Sequence, residues 1–439
     1  MTPTEPLGGP ALTESPDGPV PRRLLPDTAE VRAGGLAIGG CDVADLAAEH
    51  GTPLFVYDEA HLRSRCREAV EVFGDGVAYA AKAFLCRAMA RLAHDEGLHL
   101  DVATGGELQV ALAAGVPAVR LVLHGNNKSE AELRDARQVG VGRTVVDSLD
   151  EIDRLEALHA ADGRVPKVLL RATPGVEAHT HDFVRTGQLD SKFGLGVASG
   201  ALAAAVARCR ASAAVELVGV HLHIGSQVFV ADFFHRAIDV VAPWVSDLAL
   251  PELSVGGGLG VPYVAGEEAP TITEWGKTVL AACEAAGIRG RVNAEPGRAI
   301  AAQAAVTLYR VGTVKEIPGV RTYVSVDGGM SDNPRPVLYG SGYEAFLPRA
   351  VGASRPRAVT IVGKHCESGD VLVRDARVPA DLAVGDLLAT PVTGAYGHSM
   401  GSNYNKVPRP AVVFARDGDA RLVVRRETVD DLLRTDVGP

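Results

Sequence analysis

The stretch GVAYAAKAFL places a single charge, Lys82, in an otherwise apolar and aromatic run. A lysine there either packs its stem while its head reaches solvent, the ordinary case, or becomes a desolvated amine of lowered pKa suited to Schiff-base chemistry. Other groups bear on the choice. SVGGGLG brings together Gly256, Gly257 and Gly258, whose bare backbone can approach an anion such as phosphate. Taken alone, such a triplet is better explained as a tight turn. AEPGR sets the Glu295 carboxylate beside Pro296, Gly297 and Arg298, and HLHIGSQ sets His221, His223 and Ser226 in one short span.

An imine-forming amine, a phosphate cradle and a partner for a pyridine nitrogen are the three things that pyridoxal phosphate requires of a protein. Lys82 offers the first, and Ser226 with the Gly triplet and the backbone at Gly297 and Arg298 the second. Glu295 suits the third, because a carboxylate keeps the ring nitrogen protonated where an arginine would weaken the electron sink. His223 is placed to lie flat on the ring, whereas His221 is expected on the opposite strand face, packed against helices. Asp101, Thr104, His124 and Asn126 stand at the ends of two further apolar runs.

The elements that must position these groups are legible in the pattern. From about residue 77 to 303, short β-branched runs (GVAYAA, LHLDVAT, VRLVLHG, GRTVVDS, PKVLLRAT, ELVGVHLHI, LPELSVGGG, RVNAEPG) alternate with helical segments, several ending in glycine. Eight such units over about 225 residues fit a closed (β/α)8 barrel, with an open doubly wound sheet as the alternative. In a barrel the polar residues above cluster at one rim, where the βα loops begin. After about residue 305 the runs VTLYRVGTVKEI, RTYVSVDG, RAVTIVGKHC, DVLVRD, GDLLATPV, AVVFARDG and ARLVVRRET predict a mostly antiparallel β domain. The expected organisation is a disordered leader (1–29), a segment contributing to the β domain (30–57), an α/β barrel of the TIM type (58–305) and a C-terminal β domain (306–439).

With 439 residues, 46% hydrophobic and 22% charged, the chain has enough apolar material for two domains. A net charge of -10 excludes a nucleic-acid footprint, and the longest apolar runs fall short of the roughly 18 residues a membrane span needs. The first residues are Pro- and Gly-rich without a basic start or apolar core, so the cytoplasm is the default compartment. The six cysteines lack metal-ligand spacing. His179 and His181 have no third ligand at suitable distance, so no metal is expected.

In order along the chain, YAAKA, DVATGGEL, HGNNK, HLHIGSQ, GGGLG, AEPGR, DGGMSDNPRPVLYG, KHCESGD and GAYGHSMGSNYN resemble the fold type III pyridoxal-phosphate decarboxylases, and within them the branch acting on meso-2,6-diaminopimelate. The resemblance runs from about Leu36 to RRETVDDLL. It implies an alanine-racemase-like barrel plus a β domain. Lys82 would carry the cofactor, His223 would stack on it, and Ser226, Gly256, Gly257, Gly258, Gly297 and Arg298 would hold the phosphate, with Asp101 and Pro296 also at the cofactor. Glu295 would face the ring nitrogen, and Tyr396 would touch phosphate and substrate. Arg298, Arg335 and Tyr339 would bind the remote substrate carboxylate.

Cys366, as proton donor, and Glu367, at the distal amine, would come from the second subunit of a head-to-tail homodimer. A cation for a remote carboxylate and an anion for a remote amine suit diaminopimelate and argue against ornithine or lysine. The same skeleton serves relatives that decarboxylate modified amino acids in specialised-metabolite or siderophore pathways. A racemase and a non-catalytic cofactor-binding protein are the other readings. Glu295 and CESGD argue against the first, and the joint presence of Lys82, Glu295, Cys366 and Tyr396 against the second.

Overall fold

The computed structural model describes residues 17–32, 34–176, 190–229 and 232–438. Its centre is a ring of parallel strands in chain order: Ala78–Ala80, His99–Val102, Leu121–Leu123, Arg143–Val146, Lys167–Thr173, Glu216–Leu222, Glu252–Ser254 and Arg291–Asn293. The last returns to the first through a parallel bridge between Val77 and Ala294, with Ala78 N donating to the Ala294 carbonyl at 2.8 Å. The sheet is therefore a closed barrel, not an open doubly wound one. All eight runs read from the sequence are strands. Lys167–Thr173 is buried at every position after the first, as a strand covered on both faces must be.

Helices between the strands form where caps and apolar spacing agree. Ser129 and Glu132 make a capping box at the start of Glu130–Val139, and Gly140 ends that helix in the left-handed conformation. Glu132 also accepts from Gly105 N at 2.7 Å, tying this helix to the start of the helix Gly105–Ala113. Thr104 is the cap of that helix, accepting from Glu107 N.

The second sheet runs in the order Val371–Val378, Arg357–Val362, Arg321–Val326, Ala305–Ile317, Leu54–Asp58, Ala411–Arg416, Asp419–Val424, with Leu387–Pro391 also paired to Ala305–Ile317. Most pairs are antiparallel; Leu54–Asp58 with Ala411–Arg416 and Arg321–Val326 with Arg357–Val362 are parallel. Strand Leu54–Asp58 thus sits at the centre of the β domain and feeds the barrel through the helix Glu59–Phe73. The GGLAIGG stretch does not join this sheet. Gly35–Ile38 instead forms a small sheet of its own with Glu30–Arg32 and Cys41–Asp42, because short turns on either side pair it with its immediate neighbours.

The leader also needs correction. Residues 17–29 are packed, not disordered: Leu24 is fully buried, Thr28 donates to Asp58 from both its amide and its hydroxyl, and Arg355 donates to the Gly18 carbonyl. Composition flagged Pro and Gly but could not show the aliphatic anchors between them.

Candidate active site

At the rim formed by the strand C-termini a cleft is lined by Ala80, Lys82, Asp101, His223, Ser226, Gly257, Gly258, Leu259, Glu295, Pro296, Gly297, Arg298, Ala299 and Tyr396. Eleven expected site residues thus meet in one place, from strands distant in sequence. Lys82 sits on a single helical turn, Ala81–Ala83, after the first barrel strand, and opens onto the cleft while protein surrounds it. Its amine is raised, not lowered as expected. Burial pulls it down, but Tyr396, Asp101 and Glu295 together outweigh burial and the repulsion of Arg171. These negative neighbours come from other strands and could not be read beside the lysine.

Glu295 is buried and held by several groups. His221 Nε2 donates to its Oε2 at 3.0 Å and Ser254 Oγ donates to its Oε1 at 2.8 Å, while His124 Nε2 lies 3.5 Å away. Burial alone would push the carboxyl up, yet His221 and His124 hold it well below the usual range, so it is ionised at neutral pH. Burial takes His221 down to about 4, leaving a neutral ring that spends one N–H on Glu295. His221 therefore faces the barrel interior. The expectation that it packs against helices fails because residues two apart on a strand share a face, so His221 and His223 cannot be assigned opposite sides.

Asp101 lies 3.4 Å from His124 Nε2 and is harder to ionise than an ordinary aspartate, chiefly through burial. His124, His221 and Glu295 place ligand atoms within 4.8 Å of one another. Mutual hydrogen bonding and charge pairing account for that proximity. His179 and His181 lie outside the described residues.

The Gly triplet is required by packing as well as by any ligand. A Cβ on Gly257 would lie 2.4 Å from the Glu295 carbonyl, and one on Gly258, at φ +115, would lie 2.3 Å from the Gly225 carbonyl. Gly256 accepts from Glu295 N at 2.8 Å, so the triplet also fixes the carboxylate's strand. Nearby, Arg298 donates to Ser226 Oγ at 2.8 Å and to the Tyr263 hydroxyl at 2.6 Å and lies over the Tyr396 ring, while its buried Nε has no partner among the described residues. An amine, an ionised carboxylate and a glycine- and arginine-lined wall with an uncommitted donor fit pyridoxal phosphate.

Arg335, Tyr339, Cys366 and Glu367 do not line this cleft. Arg335 is joined to it through Tyr263: its guanidinium lies 4.1 Å from that ring's centre and donates to the Tyr343 hydroxyl. Cys366 and Glu367 are exposed on the loop after Arg357–Val362, as is Asn126 after the third barrel strand. Beneath Cys366 the loop is firmly anchored. Asp370 accepts from Met330 N and His365 N, and His365 Nε2 lies 2.9 Å from Ser331 Oγ. Sequence reasoning missed Tyr263, Tyr343 and Ser254 altogether; only the apolar setting of Tyr263, in GVPYVAG, carried any signal.

A family model described as pyridoxal-dependent decarboxylase, pyridoxal binding domain, matches residues 59–302. The chain is 50% identical over 432 residues to diaminopimelate decarboxylase of Mycobacterium tuberculosis, covering 94% of this chain and 97% of the relative. It is 46% identical to diaminopimelate decarboxylase of Bacillus subtilis, over 92% and 95% of the two chains. Among solved structures, diaminopimelate decarboxylase from M. jannaschii in complex with L-lysine superposes with a TM-score of 0.87 at 32% identity, covering 94% of this chain and 98% of that one. With its closed barrel, its β domain and its converging lysine, glutamate and glycine triplet, the chain belongs to the diaminopimelate decarboxylase family of pyridoxal-dependent decarboxylases.

Proposed function

We propose that the chain decarboxylates meso-2,6-diaminopimelate to L-lysine and carbon dioxide, the last step of lysine biosynthesis. The observation that carries this is the convergence of Lys82 and the ionised Glu295 in one cleft of a chain 50% identical to diaminopimelate decarboxylase of M. tuberculosis. Bound pyridoxal phosphate supplies a ring that takes up the electron pair released at the α-carbon as carbon dioxide departs.

The chain's residues do the rest. Lys82 binds the cofactor covalently through its amine, Glu295 holds a proton at the ring nitrogen, and His223 packs on the ring. Ser226, the triplet Gly256 to Gly258, and the backbone of Gly297 and Arg298 bind the phosphate, beside Asp101, Pro296 and Tyr396. Arg335, Tyr339 and Arg298 bind the remote carboxylate, Glu367 the remote amine, and Cys366 donates a proton to the α-carbon. Exposure of Cys366 and Glu367 outside the cleft of their own chain supports a head-to-tail homodimer in which each loop completes the partner's site. No described helix is long and apolar enough to cross a membrane, and we place the enzyme in the cytoplasm.

The cofactor assignment is tested by Lys82→Ala. The wild-type protein, loaded with pyridoxal phosphate, is expected to show a visible absorption band that survives gel filtration. The variant should lose that band and all turnover, and a variant that keeps both would refute the role of Lys82.

A further inference from the structure

The barrel axis beneath the cleft is polar where such axes are ordinarily filled by branched aliphatic side chains. His221 is 1% exposed and Ser254 also 1%, and both direct their donors at the two oxygens of one carboxylate. An ionised carboxylate only accepts, so the His221 nitrogen at Glu295 is the protonated one and its Nδ1 carries the lone pair. That Nδ1 is buried and has no partner among the described residues. A buried unpaired acceptor is destabilising, a cost that an aliphatic side chain of similar size would avoid. Packing therefore does not account for a histidine here; the hydrogen bond to Glu295 does. Ser254 Oγ additionally accepts from Gly256 N at 3.2 Å, coupling the carboxylate to the first glycine of the triplet.

We propose that His221, assisted by Ser254, is a positioning residue for the decarboxylation: it holds the Glu295 carboxylate ionised and in one orientation toward the cofactor ring nitrogen. This rests on the role given to Glu295 above. The other charged or titratable groups acting on this carboxylate or its partners are Lys82, Asp101, His124, Arg171 and His223. Among the described residues, His221 and Ser254 donate to its two oxygens at 3.0 and 2.8 Å, while His124 Nε2 stands 3.5 Å from Oε1.

The test compares His221→Leu, His221→Gln, Ser254→Ala and Glu295→Gln. In cofactor-free protein, infrared difference spectra follow the Glu295 carboxylate, identified as the band missing in Glu295→Gln. In enzyme loaded with pyridoxal phosphate, kcat and KM for meso-diaminopimelate are measured. His221→Leu is expected to move the Glu295 titration upward by about one pH unit or more and to lower kcat about tenfold or more, with KM within about twofold. His221→Gln, which can return an N–H to the same oxygen, should recover most of both effects. Ser254→Ala removes fewer atoms and should shift the titration in the same direction, which keeps the proposal testable if His221→Leu does not fold. An unchanged titration and kcat in His221→Leu, or a loss confined to KM, would overturn it. The two readings fail separately: full activity of Glu295→Gln sinks the role of Glu295, whereas an inactive Glu295→Gln beside a wild-type-like His221→Leu sinks only the role of His221.

Discussion

Arg335 is the side chain proposed to meet the remote carboxylate of the substrate. It is 3% exposed, stacked on Tyr263 and bonded through Nη1 to Tyr343, and its buried Nε has no partner among the described residues. The tyrosines fix its plane and leave a donor to give. A charge-assisted hydrogen bond is worth about 1.5–3 kcal/mol, so Arg335→Ala should raise KM for diaminopimelate roughly 10- to 100-fold and leave kcat much less affected. Steady-state kinetics check this, and an unchanged KM would remove Arg335 from the substrate site. Lys82, Glu295 and the Gly triplet were legible because a charge in an apolar strand, or three consecutive glycines, is chemically distinct without its neighbours. His221, Ser254 and Tyr263 were not, since their roles depend on groups that only the closed barrel brings within 3 Å or so of them. The sign of the Lys82 shift was lost for the same reason: Asp101, Glu295 and Tyr396 reach it from elsewhere in the chain.

At the level of elements, the loop bearing Cys366 and Glu367 is anchored by the Asp370 carboxylate together with His365 Nε2 at Ser331 Oγ and the Lys364 amide at the Gly328 carbonyl. Asp370 accepts from Met330 N at 2.6 Å and from His365 N at 2.9 Å, and a Cβ on Gly363 would lie 2.1 Å from Asp370 Oδ2. Asp370→Ala frees one buried and one partly buried amide, at a cost of about 1–3 kcal/mol. Faster hydrogen exchange at residues 364–369 is expected, with lower turnover; exchange at the wild-type rate would show that the anchor lies elsewhere. Strand and helix identity was readable along most of the chain, because period and caps are local properties. Pairing was less so. TPLFVYD and GGLAIGG were both expected to contribute to the β domain, yet the first enters the interior of the large sheet while the second, flanked by short turns, pairs with its immediate neighbours.

Across the whole molecule, the barrel and the β domain meet through aromatic packing. His398 packs edge-on against Phe55 of the central β-domain strand and against Phe84 beside Lys82, and Tyr57 stacks on Phe84. Burial takes His398 down to about 4 from 6.5, and His221 falls to about the same value. A depressed pKa in the folded state means that the unfolded chain binds more protons between these limits. Each histidine's contribution is complete above about pH 6.5 and is lost as pH falls toward 4, on the order of 3 kcal/mol apiece. Thermal unfolding should therefore move to lower temperature from pH 7 to 4, and His398→Phe, which keeps the ring packing, should flatten the slope. An equally steep slope in that variant would contradict the burial of His398 at the domain junction.

The substrate claim is tested most directly by mass analysis of products from the enzyme loaded with pyridoxal phosphate, supplied in parallel with meso-diaminopimelate, L-lysine and L-ornithine. The expected result is L-lysine and one equivalent of carbon dioxide from meso-diaminopimelate, with neither cadaverine nor putrescine from the other two. A fully formed cofactor band without lysine production, or decarboxylation of lysine or ornithine at a comparable rate, would contradict it.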